Sequence, residues 1–321
     1  VTGAAPRLAG WAAAAVALGA IPYFLSSYQL DVYRLLLLWI ALALGYNFLF
    51  GVAGQIAFSH FAFYGVGAYS VVILWSKLGV PLPLAVAGAI AICALLAFVV
   101  AVPATRLEGF YLALATLAFG QLFIVLITEG GDFTGAAAGI QRYARPPIFG
   151  YSLTAADYAL VIVALLLGTF AILRALDRSW FGRACRAVRD NSASAAAMGV
   201  DVARVKIAAF TITSTLAGAA GVVYAFLGNG IAPTTFDVNF CFQLLFMIIV
   251  GGLGRPLGAI LGTILLYLAP FVLEPFVGHH HPLIYGFLML GVILFQRDGL
   301  MGILDAIARL LRRGRAREQA A

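Results

Sequence analysis

Apolar residues run through this chain in blocks far longer than a soluble helix or strand needs, separated by short polar and glycine-rich interruptions. A helix crosses the hydrocarbon core of a bilayer with roughly 20 apolar residues. By that measure the blocks predict spans near 8–25, 31–50, 62–77, 83–103, 109–128, 154–174, 206–228, 238–253, 257–277 and 282–297. The expected fold is all-α: one polytopic membrane domain over 1–321 with about ten transmembrane helices. The first block has a single basic residue, Arg7, and is longer than the usual secretory h-region of about 7–15 residues, so it reads as a span. Two polar segments, 129–153 and 175–205, and a basic tail, 298–321, stand apart from the blocks.

Composition agrees with this pattern. Hydrophobic residues make up 63% of the 321 positions and charged residues 10%, against about 25% charged in a soluble domain. Lipid is therefore the solvent for most of the surface. The net charge of +7 raises nucleic acid as a partner, but its placement argues otherwise. Lys and Arg accumulate in cytoplasmic loops. With 175–205 and the tail inside, sixteen of the 20 basic residues fall on the cytoplasmic side, and only Arg34, Lys77, Arg142 and Arg145 outside. Both termini are then cytoplasmic, and no nucleic acid is needed to explain the charge. Cys93, Cys185 and Cys241 are too scattered for a disulfide framework or a metal cage. Cys185, within the cytoplasmic segment, is expected to react with a thiol reagent from that side.

What the spans lack limits the source of energy. Ion-coupled carriers keep ionisable groups within the membrane because each is costly there. Here Asp31, Arg34, Glu108, Asp157 and Glu274 all fall near predicted span ends, and His60 alone lies deeper. A proton relay does not fit. The phosphate-loop pattern G-x-x-x-x-G-K-[ST] is absent, so the chain does not hydrolyse ATP by that route. No Ser/His/Asp set, carboxylate pair or metal-ligand spacing suggests an enzyme, and no cofactor is implied. The run "GHHHP", 278–282, places consecutive residues that cannot easily surround one ion.

The stretch "GVAGQIAFSHFAFYGVGAYS", 51–70, interrupts two apolar blocks with glycines and polar side chains. Irregular backbone survives in a membrane where protein or a water-filled path satisfies it, and transporters use broken helices this way. Gly51, Gly54, Gly65 and Gly67, with Gln55 and His60, are candidates for a translocation path or gate. A second cluster, Gly251, Gly252, Gly254 and Gly258, offers another interruption. Tight helix packing explains glycines equally well. A lone His60 is expected to be hydrogen-bonded locally.

Residues 183–198 show helical periodicity, with Cys185, Val188, Ala195 and Ala196 on an apolar face and Arg186, Arg189 and Asp190 elsewhere. Gly199 supplies a left-handed stop and Asp201 a cap for the next span. The face is made of small residues, which suits docking on protein better than burial in lipid.

These pieces together resemble the permease subunits of branched-chain amino-acid ABC importers, LivM type. The resemblance rests on 51–70, "RLEGFYLALATLAFGQL" (106–122), "GDFTGAAAGI" (131–140), 181–225 and "VGGLGRPLGAILG" (250–262). It implies a bacterial inner-membrane importer subunit forming half of a path for branched-chain or other hydrophobic amino acids. The partners it implies are a second related permease, two ATP-binding subunits and a periplasmic solute-binding protein, with lipid around them. It also implies that the segment before Met198 and Gly199 is the coupling helix to the ATP-binding subunit. Relatives usually carry a Glu there; Ser192, Ala193, Ser194 and Ala195 stand in its place, and Asp190 is the nearest acid. Urea or short amides, and a stand-alone channel for small neutral solutes, remain open alternatives.

Overall fold

The computed structural model describes residues 18–143, 154–228, 230–277, 286 and 299–302. Apart from two short strands, its regular elements are helical. The long helices are α1 (Ser27–Asn47), α2 (His60–Val72), α3 (Leu82–Ala104), α4 (Phe110–Glu129), α5 (Ala155–Arg178), α6 (Trp180–Asp190), then the short α7 (Ser192–Ala197), α8 (Val202–Ala225), α9 (Val238–Gly251) and α10 (Pro256–Val277). α1 and α2 each end in a π-helical turn, Phe48–Val52 and Ile73–Lys77.

Six helices among the described residues are long and apolar enough to cross a membrane: Ser27–Val52, α3, α4, α5, α8 and Pro233–Gly251. The all-α polytopic expectation holds, while the count of ten is not confirmed among the described residues. The predicted span 62–77 lies in a continuous helical run, α2 and its π turn, that is not among these six, and the predicted span 257–277 falls within α10. Most of 8–25 and 282–297, the histidine run 278–282 and most of the tail lie outside the described residues.

Helix starts follow local chemistry. Ser26 and Gln29 close a capping box at α1, and Thr154 and Asp157 another at α5. Asp201 accepts from the Arg204 amide and caps α8, as the sequence suggested.

α8 is the axis of the core, packed between α2 and α3, while α1 packs on α5 and α10. Small residues make this close. α3 buries Ala85, Ala89, Cys93, Ala97 and Ala101, spaced by four, and exposes Leu84, Leu95, Phe98 and Val99 on the other side. Small residues toward protein and large ones toward lipid is the membrane packing pattern.

The two ends of the bundle differ. At one end, strands β1 (Ile140–Gln141) and β2 (Gly230–Ile231) pair antiparallel, and Lys77 donates to the Asp132 carbonyl. At the other, 51–59, the 105–109 turn, α6, α7 and Gly254 converge.

Candidate functional site

α1 does not stop cleanly at Asn47. Its π turn leads to Gly54, at φ +69°, and then to non-helical backbone through Ser59. This segment descends into the bundle. The Phe58 amide donates to Thr116 Oγ1 at 2.9 Å, which lies about 9 Å along α4 from Phe110 at 1.5 Å per residue. The amides of Ala53, Gln55 and Phe58 are satisfied by protein, as irregular backbone in a membrane requires. Gln55 donates through Nε2 to the Lys206 carbonyl at 3.0 Å, tying the segment to α8.

A polar cavity of about 360 Å³ opens beside it. Gly54, Gln55, Glu108, Arg189, Asn191 and Lys206 are among its walls. Lys206 Nζ donates to Glu108 Oε1 at 2.8 Å. That hydrogen bond, with the ammonium charge, holds the Glu108 carboxyl below its ordinary value. Arg189 reaches across from α6: Nη1 donates to the Gly51 carbonyl, while Nε and Nη2 donate to Asp190 Oδ1 at 3.0 and 2.9 Å. Gly51 also abuts Gly254, where a Cβ would lie 2.6 Å from Gly254 Cα. The Gly254 amide donates to Asn47 Oδ1 at 2.9 Å. Gly51, Gly54, Gln55 and Gly254 therefore meet at one mouth, and Gly252, at φ +120°, ends α9 beside it.

Gly65 and Gly67 are elsewhere. They lie within α2, Gly65 against Phe123 and Phe236, and Gly67 against the Gly218 backbone. Packing accounts for both. His60 opens α2, fully buried, with its ring 4.8 Å from the Tyr46 ring. The local hydrogen bond expected of it is not made: neither ring nitrogen has a partner, nor does Ser59 Oγ beside it.

The 183–198 segment differs from the expected single helix. It is broken at Asn191, whose backbone is extended and whose side chain accepts from the Ser194 amide to start α7. A residue that caps a new helix favours a break over continuation. The apolar face also has a different partner. Cys185, Val188 and Ala195 are buried within this chain, so they are not an open docking surface. Burial pushes the Cys185 thiol up to about 12, which also corrects its expected reactivity. Arg186 is held by Asp177. Ala196 and Met198 are exposed, and Gly199 takes the left-handed φ of +85°. Outward from the bundle this segment thus presents Ala193, Ser194, Ala196, Ala197 and Met198.

Residues 28–296 match the family described as branched-chain amino acid transport system, permease component. The chain belongs to that family. Among its relatives is the high-affinity branched-chain amino acid transport system permease protein LivM of Escherichia coli, 29% identical over 87% of this chain and 71% of the relative. The probable branched-chain amino acid transport permease protein LivM of Methanocaldococcus jannaschii is 24% identical over 66% of this chain and 67% of its own length. The autoinducer 2 import system permease protein LsrC of Klebsiella pneumoniae is 30% identical over 60% of this chain and 56% of its own. No solved structure matches.

Sequence reasoning missed Asn47, Thr116 and Asn191. Asn47 had a signal: a carboxamide inside an otherwise apolar block needs a partner there. Thr116 had none, because a threonine often satisfies itself on its own helix, as Thr116 also does on the Leu112 carbonyl.

Proposed function

We propose that this permease forms half of the translocation path of an ATP-binding-cassette importer for small, net-neutral solutes, with branched-chain and other hydrophobic amino acids as the first class. Family membership supports the importer, and the charge distribution supports the solute. Within the six candidate spans the described Asp, Glu, Lys and Arg residues all lie within about two turns of a helix end. Arg34 is buried but held by Asp31 near the start of its helix. Spans whose charges stay near their ends suit a zwitterion whose charges cancel.

In this reading residues 1–321 carry about ten spans, with both ends of this sequence and the 175–205 segment cytoplasmic, in a bacterial inner membrane. A related permease supplies the other half, two ATP-binding subunits drive the cycle, and a periplasmic protein delivers the solute. The relatives that import autoinducer 2 favour a second reading, in which the solute is a different small neutral molecule.

Co-reconstitution of this chain with a partner permease, two ATP-binding subunits and a binding protein tests both readings. ATP-dependent accumulation of leucine is the expected result, with urea and short amides as competing substrates. Leucine flux that is unchanged when the ATP-binding subunits are left out would show a stand-alone channel instead.

A further inference from the structure

We propose that Arg189 is the positioning residue through which movement of the α6–α7 segment reaches the glycine-rich mouth of the path. The proposal rests on the reading of that segment as the contact with an ATP-binding subunit.

The geometry is a clamp with two jaws. One is polar: Arg189 Nη1 donates to the Gly51 carbonyl. The other is steric: the aliphatic stem of Arg189 lies on Gly54, where a Cβ would stand 2.8 Å from Arg189 Cβ. Gly54 is thus doubly required, for its φ of +69° and for the approach of the arginine. Asp190 sets the aim, because its Oδ1 accepts from both Nε and Nη2 and leaves Nη1 directed at Gly51.

Each jaw connects further. Gly51 presses on Gly254, whose amide is held by Asn47, so a shift at Gly51 is felt at the start of α10 as well. The base of α6 is fixed by Arg186 on Asp177, whereas Arg189 lies one turn on, next to the break at Asn191. The cavity on the open side of Gly54 and Arg189 gives the clamp room to move, which a close-packed interior would refuse.

The test uses the assembled complex and a readout independent of the solute. Leu107 lines the cavity and is part-exposed, so it is an accessible reporter position, and the native cysteines are buried. In a Leu107→Cys background, maleimide labelling is followed without nucleotide and after vanadate trapping. With Arg189 present, the labelling rate is expected to change between the two states. Arg189→Met keeps the stem over Gly54 and removes the donor. It should retain the ATP-binding subunits and vanadate trapping while the state-dependent change shrinks about tenfold, the shift that losing one charge-assisted hydrogen bond produces. Arg189→Lys, which keeps one donor without the fork, should fall between.

A nucleotide-dependent change in Arg189→Met equal to that of the parent overturns the proposal. So does a parent complex whose labelling never responds to nucleotide. Loss of expression in both the Met and Lys variants would assign Arg189 a structural role only. Failure of ATP-binding subunits to assemble on the parent chain would refute the underlying reading, and is seen separately in the purified complex.

Discussion

At the residue scale, the glycines of 51–70 divide by what approaches them. Gly54 admits a side chain and an unusual φ, and Gly67 admits a neighbouring backbone, with a Cβ there 2.9 Å from Gly218 Cα. Backbone cannot swing away as the end of a side chain can. Gly67→Ala is expected to cost about 1–3 kcal/mol through overpacking, read as a lower unfolding temperature in detergent. Gly168 is the control, because a Cβ there meets nothing within 4 Å. Gly168→Ala should leave stability unchanged or raise it, by up to about 1 kcal/mol. Equal losses at the two sites would show that neighbouring backbone does not set the cost.

At the element scale, the break at Asn191 turns α7 so that Ala195 faces inward and Ala196 outward. Tryptophan at these adjacent positions should therefore have different effects. Ala195→Trp overfills the chain's own interior, at about 1–3 kcal/mol, and should lower expression. Ala196→Trp should express and pair normally but retain less of the ATP-binding subunit on purification. The two yields, of the chain and of the co-purified subunit, are the measurement. Full retention in Ala196→Trp would remove α7 from the docking surface.

At the scale of the whole molecule, the grouping of charges becomes a grouping of ends. Arg189, Glu108 and Lys206 meet at the mouth end, while Lys77 and Asp132 lie at the opposite one. If the mouth end is cytoplasmic, a cysteine at its exposed tip reports orientation. Met198, 86% exposed, is that tip, whereas Cys185 is fully buried. An impermeant maleimide should label Met198→Cys in inside-out vesicles and not in intact spheroplasts. The parent chain should be silent in both. Labelling of Met198→Cys from spheroplasts alone would invert the topology.

The sequence by itself determined the class of fold, the positions of the six long apolar helices, and the caps at Asp201 and Gly199. Each depends on local composition: apolar length against bilayer thickness, a side-chain oxygen beside bare amides, a residue that tolerates positive φ. Only the tertiary structure decided which glycines meet at the mouth and which merely pack. Gly51 and Gly254 touch across some two hundred positions of chain, a contact no local pattern encodes. It also decided that the small face of 183–198 is turned inward. Periodicity shows that a helix has an apolar side, but not whether that side is covered by its own chain or by another.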